Sequence, residues 1–233
     1  MRALLLAAGL GSRLRPITLS TPKCLVPIRG RPLLDYWLDA LLAGGVVERV
    51  LINTHHLADQ VRAHVAASRW VDRIELVHEV ELLGTGGTIK ANRAFFGEDS
   101  FLVAHADNLT GFDLRAFAAA HAGRPVHCAM TMLAFRSDDP RSCGILELDD
   151  TSVVQAFHEK VEDPPGNLAN AAVYLMTPEV AQFTARFAGP FIDLSTEVIP
   201  AFLGRILAVE TDGYHRDIGN RESLAKAEAE FRR

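Results

Sequence analysis

The chain has 233 residues, of which 48% are apolar and 23% charged, with 24 basic against 29 acidic side chains and a formal charge of −5. That is the make-up of an ordinary globular protein with enough chain to bury a core without disulfides or structural metals. It excludes the basic surface that a nucleic-acid-binding protein needs, so a polyanionic ligand would depend on a few locally placed cations.

Ala3 to Ala7 form a short continuous apolar run, the pattern of a strand buried on both faces. The run is short and ends in Gly-Leu-Gly-Ser-Arg, so the opening residues are read as a first strand and not as a secretory leader. Leu33, Leu34, Trp37, Leu38, Leu41 and Leu42 recur at helical spacing up to Gly44-Gly45. A strand over 49–53, a helix over 57–67, a strand over 74–77, a helix over 87–96, a strand over 100–104 and a helix over 114–122 follow. The second half is richer in strands, expected at 126–135, 145–148, 153–158, 170–176 and 205–210. Helices are expected at 178–187, 196–203 and 221–231. Alternating strands and helices with short connections predict an α/β fold with a mainly parallel, Rossmann-like twisted sheet flanked by helices. One domain is expected, with no internal repeat and no linker. No run of about 18 apolar residues predicts a membrane span. The three cysteines, Cys24, Cys128 and Cys143, are odd in number and irregularly spaced, which argues against a disulfide framework and fits a reducing cytoplasm.

In a parallel sheet, ligands gather at the carboxyl ends of the strands. There the first strand runs into Leu6-Ala-Ala-Gly-Leu-Gly-Ser-Arg-Leu-Arg-Pro16, a glycine-rich loop with two arginines. Glycines let backbone N–H groups converge on phosphate oxygens, and arginine adds charge-assisted hydrogen bonds. A tight turn is the plain alternative for a bare Gly-x-Gly. The loop is not a Walker A sequence, because Gly-Lys-Ser/Thr is missing. It is not a dinucleotide fingerprint either, because Leu14 stands where the third glycine belongs. Downstream, Thr21-Pro-Lys-Cys-Leu-Val-Pro-Ile28 places Lys23 between two prolines, on a stiffened backbone. His55, His56, Asp59 and His64 lack the spacing of a tetrahedral metal set and are expected to be solvated polar positions. Cys143 has no neighbouring histidine to activate it and is expected to be a wall residue.

These two motifs resemble the signature of the sugar-1-phosphate nucleotidyltransferases, Leu-Ala-Ala-Gly-x-Gly-x-Arg-Leu followed by Pro-Lys-x-Leu-x-Pro. The resemblance extends through Leu83-Gly-Thr-Gly-Gly-Thr-Ile-Lys90, Ala106-Asp107, Cys143-Gly-Ile-Leu-Glu-Leu-Asp149, Phe157-His-Glu-Lys160, Asn170-Ala-Ala-Val-Tyr174 and Asp217-Ile-Gly219, nearly the whole chain. It implies a nucleotidyltransferase fold in which 1–125 mainly binds nucleotide and 126–233 mainly binds sugar phosphate. No appended left-handed β-helix is expected.

Carried over by position, the resemblance implies that Leu6, Ala7, Ala8, Gly9, Gly11, Ser12 and Arg13 hold the nucleotide and its triphosphate. Lys23 contacts phosphate, Gly84 and Thr85 lie in the segment that reads the base, and Asp107 and Asp217 bind Mg²⁺. Asn108, Gly144, Glu159, Lys160 and Asn170 hold the sugar 1-phosphate. Arg13, Lys23, Asp107 and Asp217 form the catalytic set. Ala106 stands where the family usually has glycine. The implied partners are an NTP and a sugar 1-phosphate, with no nucleic acid or membrane, and homo-oligomer formation is left open. The Leu83–Lys90 segment most resembles enzymes that use GTP with manno-configured sugar 1-phosphates. Single-domain N-acetylmuramate 1-phosphate uridylyltransferases share the layout and are the runner-up. A non-catalytic nucleotide-sugar sensor is the alternative from another class, although Arg13, Lys23, Asp107, Lys160 and Asp217 are all present.

Overall fold

The computed structural model describes residues 1–232, which divide into two compact units that interleave along the chain. One contains Met1–Leu82, Ala104–Leu114 and the segment beginning at Gly213. The other contains Leu83–Val103 and Arg115–Asp212.

In the first unit, strand Arg2–Leu6 pairs in parallel with Arg49–Thr54, which pairs in parallel with Ile74–His78. The last two residues of strand Phe101–His105, Ala104 and His105, belong to this unit, and just beyond them the Ala106 N–H donates to the Leu6 carbonyl (3.1 Å). The runs are apolar because both faces are covered: Ala3, Leu4, Leu5, Val50 and Ile52 are all fully buried. Helix Leu33–Leu42 buries Leu33, Leu34, Trp37, Leu38, Leu41 and Leu42, and helix Ala58–Ala66 buries Val61 and Val65. The last helix, Arg221–Glu230, starts at a reciprocal cap in which Asn220 accepts from the Ser223 N–H. Its apolar side sets Ala227 and Leu224 in a cluster with Leu14, Ile28, Leu33, Leu109 and Ile218. That cluster ties the C-terminal segment to the loops that follow the first strand.

One element of this unit was not expected from the sequence. Asn108–Thr110 and His215–Asp217 form a two-stranded antiparallel ladder that sets Asp217 opposite Asn108. Strands of three residues carry too little alternation to be recognised.

The second unit is mostly antiparallel, which is the β-rich character expected of the second half. Val154–Glu159 pairs with Gly144–Leu148, and Leu168–Met176 pairs with both Gly144–Leu148 and Met130–Arg136. Ile206–Glu210 adds to Met130–Arg136 in parallel. The expected helix over 87–96 is two helices, Gly84–Ala91 and Arg93–Phe96, separated at Asn92. The strand expected from residue 126 begins at Met130, after a turn closed by the Cys128 N–H on the Pro125 carbonyl. The helix expected over 196–203 is a wide turn, Leu194–Val198, followed by a tight one, Ile199–Phe202. Pro200 has no N–H to continue a regular ladder there. The fold is thus mixed α/β, as anticipated. No described helix is long and apolar enough to cross a membrane.

Candidate functional site

The first unit assembles its charged residues around the loop that leaves the first strand. The Ala7 N–H donates to Asn53 Oδ1 (2.7 Å), and Asn53 Nδ2 donates to Glu79 Oε1 (2.8 Å). Asn53 and Glu79 are buried, so this polar pair anchors the start of the loop from below. Gly11 then turns the chain at φ +61°, and a Cβ there would sit 2.7 Å from Thr18 Cγ2. The Thr18 hydroxyl donates to the Gly11 carbonyl (2.7 Å) and closes the turn. Leu6 and Ala7 are half-buried and Ala8 is buried, whereas Gly9, Ser12 and Arg13 are exposed. The glycine-rich loop therefore offers open backbone and exposed arginines, Arg13 and Arg15, to a ligand.

His55 and His56 are half-buried and each is bonded to a backbone carbonyl, which corrects the reading of them as simply solvated positions. A ring nitrogen of His55 lies 2.8 Å from the Glu79 carbonyl, and one of His56 lies 2.9 Å from the Thr18 carbonyl. The His56 contact braces the turn that Thr18 closes on Gly11, and the His55 contact holds the backbone at Glu79. His64 pairs with Asp35 at 2.6 Å, and Asp59 pairs with Arg62. Among the described residues no group of three or more His, Cys, Asp or Glu is placed to hold a metal ion.

Pro22 leads into a single tight turn, Lys23–Leu25, that sends the Lys23 side chain inward. Its Nζ lies 2.5 Å from Asp107 Oδ2 and 3.4 Å from Asp217 Oδ1, with the lysine side chain only 9% exposed. Arg13 reaches Asp217 Oδ2 from the solvent side at 3.7 Å. Asp107 follows the Phe101–His105 strand, and its carbonyl accepts from the Ile218 N–H (3.0 Å), which locks the two acidic segments together. Gly219 allows the close approach, since a Cβ there would meet Asp217 Oδ2 at 2.6 Å and the Arg13 guanidinium at 3.0 Å. Burial works against charge on Lys23, but Asp107 and Asp217 more than offset it and hold its pKa above the ordinary lysine value. Burial also opposes charge on Asp107, and Lys23 and His105 override it, so the carboxyl stays below its usual range. Cys24 is buried and its thiol is pushed up to about 12, which leaves it inert. Asn108 is buried in this unit opposite Asp217, and its carbonyl accepts from Trp37 Nε1 (2.7 Å). Within this unit its ladder partner is Asp217, while the other residues implied for sugar phosphate belong to the second unit.

Those other residues lie in the second unit. Glu159 and Lys160 form a salt bridge at 2.9 Å, and the Lys160 side chain is 61% exposed. Lys160 takes a left-handed conformation at φ +52° while its N–H donates to the Cys143 carbonyl (3.1 Å). A Cβ on Gly144 would lie 2.4 Å from the Phe157 ring and 2.8 Å from Glu159 Oε2, so glycine is what leaves room for both. Asn170 Nδ2 donates to the buried Tyr174 hydroxyl (2.7 Å), and Asn170 Oδ1 accepts from the Ala172 N–H (2.9 Å). This clamps an irregularity in the Leu168–Met176 strand, with Ala172 at φ +53°. Cys143 Sγ lies 3.4 Å from Ser137 Oγ.

Gly84 and Thr85 open the Gly84–Ala91 helix, also in the second unit, where the glycines serve packing. The Gly86 and Gly87 N–H groups donate to the Ile192 carbonyl (2.8 and 3.2 Å), and the Thr85 hydroxyl accepts from the Leu194 N–H (2.7 Å). A Cβ on Gly87 would stand 2.2 Å from the Pro190 carbonyl oxygen. Gly87→Ala is therefore expected to destabilise by about 1–3 kcal/mol, the usual cost of overpacking, which outweighs alanine's helix preference of up to about 1 kcal/mol. A denaturant midpoint equal to or above that of the wild type would contradict this packing role.

The exposed glycine-rich loop, two carboxylates converging on one cation and, in the second unit, an exposed lysine paired with Glu159 suit phosphate-bearing ligands. Residues 2–233 match the family described as Nucleotidyl transferase. The chain is 33% identical to a mannose-1-phosphate guanylyltransferase from Mycobacterium tuberculosis, over 98% of this chain and 64% of that protein. It thus spans under two thirds of that relative's length. It is 34% identical to the N-acetylmuramate alpha-1-phosphate uridylyltransferase of Caulobacter vibrioides, over 97% of this chain and 95% of that one. A relative at 35% identity is named a glucose-1-phosphate thymidylyltransferase, so guanylyl, uridylyl and thymidylyl transfer all occur among the names. Among solved structures, HddC from Yersinia pseudotuberculosis, complexed with GMP-PN, superposes with a TM-score of 0.78 at 25% identity and covers 99% of both chains. The chain belongs to the nucleotidyl transferase family.

Proposed function

We propose that this chain transfers a nucleotidyl group from an NTP to a sugar 1-phosphate and releases pyrophosphate. The observation that carries the proposal is the Lys23 ammonium between Asp107 and Asp217, with Arg13 beside them on the glycine-rich loop. Four charges of both signs are thereby concentrated where a triphosphate and its cation would need them. The two carboxylates supply hard oxygen donors that already converge on one positive centre, a set that fits Mg²⁺ once phosphate oxygens and water complete it. Asp107 and Asp217 would hold the ion, which when bound neutralises and orients the α-phosphate. Arg13 and Lys23 would carry the charge of the departing pyrophosphate. Lys160, with Glu159 and Asn170, would hold the acceptor's phosphate and sugar. The attacking phosphate oxygen is already an anion, so the chain needs no general base, and its contribution is positioning and charge neutralisation.

GTP with a manno-configured sugar 1-phosphate is the preferred pair in this reading. The mannose-1-phosphate guanylyltransferase relative, the GMP-PN complex of HddC and the Leu83–Lys90 segment support it. UTP with N-acetylmuramate 1-phosphate is the second reading, favoured by the match along 95% of the Caulobacter enzyme. Pyrophosphate release, measured with four NTPs crossed against mannose, manno-heptose, glucose and N-acetylmuramate 1-phosphates, decides between them. The highest kcat/KM is expected for GTP with a manno-sugar. A higher value for UTP with N-acetylmuramate 1-phosphate selects the second reading. No release from any pair would favour a sensor of nucleotide sugars.

A further inference from the structure

We infer that Lys23 competes with the divalent cation for Asp107 and Asp217, so that the metal enters only when a triphosphate draws the lysine away. The inference rests on the metal role proposed above and adds an order of events to it. Lys23 Nζ lies within hydrogen-bond distance of one oxygen from each carboxylate, at 2.5 and 3.4 Å. Any cation bound by both aspartates would have to stand close to where this ammonium stands. Two ions of like charge that close together repel, and more strongly where water is scarce, as it is around a lysine side chain that is 9% exposed. With Arg13 on the outer oxygen of Asp217, two cations already balance the two carboxylates. A bare divalent ion therefore meets a neutralised pair and gains little on binding.

A triphosphate changes that balance. It brings several anionic oxygens to which Lys23 and Arg13 can turn, and their departure frees the carboxylates. The flexible lysine stem makes such a swing cheap, because its four-carbon chain has several rotamers. Metal affinity and nucleotide affinity are then linked: each ligand raises the affinity for the other through the same lysine.

Mn²⁺ is the probe, followed by the paramagnetic signal of the free ion, with no nucleotide present. Wild type is expected to bind Mn²⁺ weakly. Lys23→Met and Lys23→Gln should each bind it at least about tenfold more tightly, corresponding to about 1.4 kcal/mol or more. Adding Asp107→Asn to either variant should abolish the gain, which places it at this site. Circular dichroism checks that the variants fold. If the methionine variant is destabilised by facing carboxylates, Mn²⁺ alone should raise its melting temperature and leave that of wild type unchanged. Equal Mn²⁺ affinity in wild type and both variants, lost on Asp107→Asn, overturns the competition while sparing the metal site. No Mn²⁺ binding by any form, with or without GTP, overturns the metal reading itself and this inference with it.

Discussion

Asp107→Asn and Asp217→Asn are each expected to nearly abolish turnover, by roughly a thousandfold or more, while the chain stays folded. An amide keeps the shape of the carboxyl but removes the anion that a divalent ion requires. Metal charge stabilisation in such reactions is worth several kcal/mol, which sets the scale. The two variants should differ in stability. Asp107 is the nearer partner of a buried ammonium, so its loss leaves Lys23 with Asp217 alone and should cost on the order of 1–3 kcal/mol. Asp217 is half exposed and its ion pairs are partly screened, so Asp217→Asn should change the melting temperature little. Pyrophosphate release at saturating Mg²⁺, with thermal melts of both variants, is the measurement. Near-wild-type turnover by either one would remove that residue from the metal site.

Arg13→Met and Lys160→Met are expected to separate the handling of the two substrates. Arg13 belongs to the unit that holds the glycine-rich loop and Lys160 to the other, and their side chains are 66% and 61% exposed. Exposed ion pairs of this kind add little to stability, so losing them should leave the fold intact. Methionine keeps most of the apolar stem and removes one charge-assisted phosphate contact, worth about 1.5–3 kcal/mol, or roughly ten- to a hundredfold. Arg13→Met should impair NTP binding and the kinetics in NTP. Lys160→Met should impair the kinetics in sugar 1-phosphate and leave NTP binding alone. Titrations of each substrate at saturating levels of the other, with direct NTP binding, test this. Loss of NTP binding in Lys160→Met with intact sugar-phosphate kinetics would invert the map.

The readings that held were those set by local physics. An unbroken apolar run must be covered on both faces, which made Arg2–Leu6 and Phe101–His105 legible as buried strands. Helix Leu33–Leu42 was legible because its six buried side chains recur at helical spacing. The turn at the glycine-rich loop and the stiffened backbone around Lys23 were legible as local features, because both are constraints on a few neighbouring residues. What the sequence could not disclose was pairing at long range. Lys23 meets Asp107 across 84 residues and Asp217 across 194, through a three-residue ladder too short to show a period. The Asn53–Glu79 pair under Ala7 and the histidines bonded to the Glu79 and Thr18 carbonyls carry no spacing signal, because each is an ordinary polar residue until the strands align. The packing of the Gly84–Gly87 run was not legible either, since its close neighbours are residues 190–192, 103 or more residues onward, as in the contact of Gly87 with Pro190. The sequence by itself determined the α/β class, the glycine-rich loop after the first strand and the charged residues on and near it. Only the tertiary structure decided that Lys23 stands between the two aspartates, because that contact is made by packing the C-terminal helix and the short ladder against loops near the start of the chain.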